Sequence, residues 1–215
     1  MRRAASHNES VAFPALVALG LAQTVAPTTD SGWKTYGDGR LFLPAATNLC
    51  TDPQGTAQTF WPSDTANTDI TPNVAIPVAV PGNPLITKCL KLVNDGTADA
   101  PVTANLTVVA STSYNSSIYV YAPTLGGNLT ITVENGHTFS LAALTTANSG
   151  FVPYSVQSNT VAGEVVLGLK FTFVGGTAST VYVTGCDVVA ATVATPHFDG
   201  TYDNFLSFVK SVERN

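Results

Sequence analysis

Charge is what this sequence has least of. Only 11% of its 215 residues are Asp, Glu, Lys or Arg, where a soluble domain carries about a quarter. Lys and Arg together number nine, the densest positive stretch is the pair Arg2 and Arg3, and the formal net charge is −5. A nucleic-acid binder displaces phosphate counterions with clustered Lys and Arg. Without such a cluster, strong direct nucleic-acid binding is not expected. Thr, Ser, Asn and Gly must cover the outside instead, and the chain holds 30 Thr.

Reactive constellations are missing as well. The histidines, His7, His137 and His197, stand in no HExxH or other metal-binding spacing. There is no GxSxG elbow and no CxxC, and the Gly-rich segments lack the P-loop lysine. The chain therefore reads as not an enzyme, with no catalytic, cofactor-binding or metal-ligating residue assigned, no cofactor and no small-molecule substrate.

Cysteine is scarce too. Cys50, Cys89 and Cys186 are odd in number and widely spaced, which excludes a zinc pattern and a dense disulfide framework. Cys89 and Cys186 fall inside apolar strand patterns, where buried free thiols are the ordinary outcome. The count leaves room for one disulfide whose pairing the sequence does not fix. No fixed-length repeat is visible, which argues against a solenoid or propeller.

At the N-terminus, Arg2 and Arg3 precede the polar block Ser6–Ser10 and an apolar stretch from Val11 to Ala26, broken by Pro14 and Gly20. That stretch is short for a membrane span. A charged start, an apolar centre and Thr24-Val25-Ala26 have the layout of a secretory signal. The polar block between charge and apolar run favours a retained arm over residues 1–30.

What is present is β patterning. The apolar fraction is 45%, enough for a real core, and many Thr fall on predicted strands, where β-branched residues fit the pleated surface. Leu41-Phe42-Leu43 reads as a short strand after the Gly37–Gly39 turn. Residues 44–72, punctuated by Pro44, Pro53, Pro62 and Pro72, read as a long loop. From there the rhythm predicts strands over 73–80, 85–93, 102–111, 117–121, 128–134, 138–144, 152–157, 164–174 and 180–192. Leu129, Ile131 and Val133 alternate with Thr130 and Thr132, and Leu167, Leu169, Phe171 and Phe173 do the same, so one face is buried and the other wet. Turn residues separate the runs at Asn94-Asp95-Gly96, Asn135-Gly136 and Gly175-Gly176. Asn135-Gly136, between two alternating runs, is the strongest hairpin signal. Short strands with such turns define an antiparallel β-sandwich of jelly-roll type over residues 31–197.

The last residues depart from this rhythm. Phe205, Leu206, Phe208, Val209 and Val212 lie at helical spacing, so residues 198–215 read as a short amphipathic helix. Asp203 near its start and Lys210 and Arg214 near its end complement the helix dipole. Packing against the sandwich or a neighbour is the plain role for those five apolar residues, and membrane contact is the sharper one. Two acidic groups, Asp64 with Asp69 (and Asn67 between them) and Asp199 with Asp203, have the oxygen-rich character of calcium loops. Loop carboxylates are usually just solvated, and no ion is assigned to them. Asn-x-Ser/Thr sequons occur at Asn8, Asn105, Asn115 and Asn128 and carry weight only in a secreted chain.

With its N-terminal segment, its run of short strands and the final pair 164–174 and 180–189, the chain resembles the single jelly-roll coat proteins of small icosahedral viruses. The resemblance spans about residues 40–195 and rests on strand texture rather than on a specific motif. It implies a structural subunit of a capsid, located in the virion, self-assembling with other copies of itself and with other virion proteins. The low charge fits, because association then desolvates few charged groups. A secreted or surface-exposed β-sandwich adhesin or binding module is the alternative, with a virion decoration protein beside it.

Overall fold

The computed structural model describes residues 34–36, 40–42 and 47–191, apart from 84 and 136. The arm expected over 1–30 and the helix expected over 198–215, with Asp199, Asp203 and the five apolar residues of that helix, lie outside them. Two units are distinguished. The first contains a small antiparallel pair, β1 (Lys34–Tyr36) with β2 (Arg40–Phe42), where Tyr36 pairs with Arg40.

The second unit, residues 48–199, holds the sandwich. Its strands are β3 (Thr68–Ala75), β4 (Lys88–Asn94), β5 (Leu106–Thr107), β6 (Ser113–Thr124), β7 (Leu129–Glu134), β8 (Thr138–Leu144), β9 (Val152–Asn159), β10 (Val166–Phe173) and β11 (Ser179–Ala190). One sheet has the order β3-β4-β11-β6-β9 and the other β5-β10-β7-β8, with every pairing antiparallel. The described residues contain no helix. The all-β jelly-roll sandwich expected from the alternation is the fold.

Its core follows the two-residue period. Leu129, Ile131 and Val133 of β7 and Leu167, Leu169, Phe171 and Phe173 of β10 all turn inward and are at most 2% exposed. From the other sheet, Leu90, Leu92, Ile118, Val120, Val181 and Val183 meet them. Each such residue is worth about 2–5 kcal/mol against truncation to Ala. The Asn135 turn joins β7 to β8 as a tight hairpin, with Glu134 opposite Thr138 and the Asn135 N–H on the His137 carbonyl.

Three expectations are corrected. The strand expected over 102–111 is a broken edge. It follows β10 through bridges at Asp99 and Val102 and then the two-residue β5. Pro101 has no N–H to give a ladder, and the Thr103 hydroxyl, not a carbonyl, accepts the Leu169 N–H. The strand expected over 73–80 starts earlier, at Thr68, and ends at Ala75. Past Ile76, whose N–H still bonds the Thr87 carbonyl at 3.2 Å, the chain leaves the ladder because Pro77 and Pro81 lack donors and Gly82 takes φ +71; Val78, Val80 and Ile86 fold back over the sheet.

The third correction concerns the long loop. Residues 51–67 form an ordered turn system that carries Phe60 and Trp61 into the core, 1% and 3% exposed. The Asp52 carboxylate organises it by accepting the N–H groups of Thr56 (2.7 Å), Ala57 (2.9 Å) and Gln58 (3.1 Å).

Candidate ligand-binding face

The outward face of the five-stranded sheet carries an aromatic platform. On β6, Tyr119 and Tyr121 alternate with the core residues Ile118, Val120 and Ala122. On β11, Tyr182 lies between core residues Val181 and Val183. Strand parity therefore sends all three tyrosines outward. Register aligns them: Tyr182 faces Tyr121 on one side and Lys91 on the other, and Lys91 faces Thr71. The result is a strip Thr71–Lys91–Tyr182–Tyr121 across four strands, about 14 Å long at the usual strand spacing. Asp69 and Thr180 lie one register step along it.

The rings are held in place. Tyr121 and Tyr182 stack with centroids 5.8 Å apart and planes 19° from parallel, and Phe151 tilts against Tyr121 at 5.7 Å. The folded-back segment 76–87 builds one wall, with Ile76, Val78, Val80 and Ile86 packed around Cys89 and Phe151. The tyrosines remain half-buried rather than covered. An apolar floor beside a wall, with a few polar groups at its edges, has the lining of a small-ligand site, and tyrosine supplies an apolar body with a polar tip.

Beneath Tyr119 the sheet carries a negative charge. Asp187 is fully buried, with Asn48 Nδ2 on one oxygen at 2.6 Å and the Ser117 hydroxyl on the other at 3.3 Å. Burial, and then the Asp187 charge, push the Tyr119 phenol above its ordinary value, so Tyr119 stays a neutral hydroxyl at any physiological pH. Cys89, under the same wall, is pushed up to about 11 by burial, against the smaller opposing pull of Lys88.

A separate open recess of about 350 Å³ lies where Leu49 and Thr51 meet Asn105, Leu106 and Thr107. Among the described residues its one aromatic, Phe60, is 1% exposed, so they offer no ring to stack on and no charge to orient a ligand.

The residues singled out from sequence distribute as follows. Asp64 gives a carboxylate oxygen to the Ile70 N–H at 2.6 Å, and Asp69 stands exposed on the strip's margin. Among the described residues, no three His, Cys, Asp or Glu side chains come together as a metal would need. Cys50, Cys89 and Cys186 are buried free thiols. Asn105 and Asn128 are exposed, whereas Asn115 is only 4% exposed. The tyrosine platform was missed from sequence. Its signal was the parity of Tyr119, Tyr121 and Tyr182 among inward valines and isoleucine.

No protein-family model matches the chain, and no curated protein matches it. Solved structures do. The Clostridium thermocellum endo-1,4-β-D-xylanase 10B, as its CBM22-1–GH10 modules complexed with xylohexaose, aligns at TM-score 0.50 with 11% identity over 69% of this chain. The chain spans 29% of that protein's length. TmCBM61 in complex with β-1,4-galactotriose aligns at 0.48 with 10% identity, covering 67% of this chain and 99% of that one. The CBM22-1 xylan-binding domain of Paenibacillus barcinonensis Xyn10C aligns at 0.44 with 17% identity, covering 69% and 94%.

The first of these likenesses corrects the capsid reading. The texture behind it, short strands with Thr-rich outer faces and little charge, belongs to the sandwich itself, and a solved protein that shares that sandwich carries it as a CBM22-1 module. The outer Thr residues have local uses that need no shell: the hydroxyls of Thr132 and Thr138 both bond Glu134. With the capsid subunit go its virion location, its self-assembly as a homo-oligomer, its partnership with further copies and virion proteins, and the exclusion of a small-molecule ligand. The membrane contact expected through Phe205, Leu206, Phe208, Val209 and Val212 lies outside the described residues. Among the described residues, no helix is long and apolar enough to cross a membrane.

Proposed function

We propose that this chain is a surface-exposed or secreted β-sandwich module that binds carbohydrate and does not convert it. The observation that carries the reading is the stacked pair Tyr121–Tyr182 on an outward sheet face. A pyranose ring presents an apolar C–H face and a rim of hydroxyls. The tyrosine rings match the first. Lys91, Thr71, Asp69 and Thr180 along the strip match the second, as donors and acceptors at the edges of an apolar floor. The preformed β platform keeps the ordering cost of binding low. The structurally similar CBM22-1–GH10 modules complexed with xylohexaose support a glycan as the ligand class. Reading the chain as a binder rather than an enzyme rests on the face itself, which among the described residues bears no paired carboxylates set to act as acid and base.

The test is affinity electrophoresis and calorimetry of the full chain against soluble xylan, β-1,4-galactan and mixed-linkage β-glucan. Retardation by at least one polysaccharide, weakened about tenfold in Tyr182→Ala, is the expected result. Wild-type mobility in every gel, or full binding by Tyr182→Ala, overturns the reading.

A further inference from the structure

Two thiols meet in the core where the segment entering the sandwich crosses its last strand. Asn48 pairs with Val189, the Leu49 N–H bonds the Val188 carbonyl at 2.9 Å, and the Cys186 N–H bonds the Pro53 carbonyl at 3.0 Å. Asn48 fastens the crossing further. Its Nδ2 donates to the Cys186 carbonyl at 3.1 Å, and its Oδ1 accepts from the N–H groups of Cys50 at 3.0 Å and Val188 at 2.9 Å. Held this way, the Cys50 and Cys186 side chains lie in the same buried core cluster, 2% and 0% exposed, close enough for the one thiol to act on the other. Cys89 is on the opposite face of the sheet, its thiol directed at the Val74 carbonyl at 3.5 Å.

We propose that Cys50 and Cys186 join as a disulfide when the chain folds under oxidising conditions, tying the entry segment to β11 and leaving Cys89 a thiol. The oxidant is a low-molecular-weight disulfide. One cysteine, as thiolate, attacks it and forms a mixed disulfide, releasing one small thiolate. The second cysteine then attacks the protein sulfur of that mixed disulfide and releases the other. The two protein thiols lose two protons and two electrons, and the small disulfide leaves as two thiols. The reaction belongs to folding, before the core closes. In the finished fold the hydrogen bond that the Cys186 S–H gives to Cys50, then burial, then the negative charges of Cys50, Asp187 and Asp52, hold the Cys186 thiol protonated and slow to react. The bond closes a long loop, which restricts the unfolded chain.

The test is refolding of the reduced, denatured full chain in a buffer of oxidised and reduced glutathione, followed by thiol titration in denaturant and non-reducing peptide mapping. One remaining thiol, a Cys50–Cys186 cross-linked peptide, and a thermal midpoint raised about 10 °C over the reduced protein are expected. Cys89→Ala forms the same cross-link with no thiol left, and Cys50→Ser forms none. Three titratable thiols after refolding, a bridge that includes Cys89, or a cross-linked chain no more stable than the reduced one overturns the proposal. The wild-type peptide map decides the matter even if Cys50→Ser fails to fold, and polysaccharide binding has no bearing on it.

Discussion

The indole N–H of Trp61 donates to the backbone carbonyl of Asp52 at 2.7 Å, while the Asp52 carboxylate gathers the N–H groups of the intervening turn. One residue thus holds a nine-residue excursion against the core from two sides. Trp61→Phe keeps most of the buried area but leaves the carbonyl without its donor, and is expected to cost about 1–3 kcal/mol. Trp61→Ala also opens a cavity beside Phe60 and Phe171 and is expected to cost about 3–5 kcal/mol. Urea unfolding of the two variants measures the difference; equal losses would mean that the hydrogen bond contributes everything and the packing nothing.

Asp99 gives the fold an acid-sensitive clasp. Burial pushes its carboxyl up, but hydroxyl donors from Thr65 and Thr68 and the Ala100 N–H outweigh that and hold it below its ordinary value of 3.8. A carboxyl depressed in the folded state stabilises fully above the unfolded value and loses that contribution as pH falls through the folded one. Wild type is therefore expected to exceed Asp99→Asn in stability at pH 7, and the gap should shrink as pH falls below the ordinary value of 3.8. Because Asp99 is only partly buried, the gap is small. A gap that widens in acid contradicts the assignment.

Much of the sandwich was legible because its strands obey a strict period. Leu167 to Phe173 and Leu129 to Val133 alternate without a break, and the Asn135 turn pins their hairpin partner, so local residues alone specify those elements. What escaped depends on distant partners. The Thr103 hydroxyl replaces a ladder carbonyl only because β10 lies beside it. Pro77 and Pro81 leave the sheet, yet nothing local says that Ile76 to Ile86 then cover its outer face. Trp61 lies in a polar, proline-marked stretch, and only the Asp52 turn explains its burial. The tyrosine strip needed the pairing of Tyr182 with Tyr121, which are far apart in sequence. Function followed composition astray: low charge and abundant Thr describe an outer sheet surface whatever it meets.

Gly185 links β11 to the platform. It takes φ +59 within the irregular stretch of the β11–β6 ladder, and a Cβ there would lie 2.7 Å from Tyr119 Cδ2 and 3.0 Å from Ile86 Cδ1. Gly185→Ala is expected to destabilise by about 1–3 kcal/mol, from the left-handed backbone and the displaced ring together. Urea unfolding gives the cost, and near-ultraviolet circular dichroism should register the shifted tyrosine. An unchanged aromatic spectrum would mean that the ring accommodates the methyl group in place.

Phe and Ala substitutions at the stacked pair separate what its rings contribute from what its hydroxyls contribute. If glycan binding depends on the apolar faces, Tyr121→Phe and Tyr182→Phe should keep affinity within about threefold, while each Ala variant loses about tenfold, near 1.4 kcal/mol. The two rings touch, so removing either also frees the other to move, and the Ala losses should not add. A double-mutant cycle by calorimetry is expected to give a coupling of about 0.5–1.5 kcal/mol. Phe variants as weak as Ala variants would shift the recognition from the ring faces to the phenol oxygens. Tyr119, whose hydroxyl stays neutral above the buried Asp187, would then be the next donor to remove.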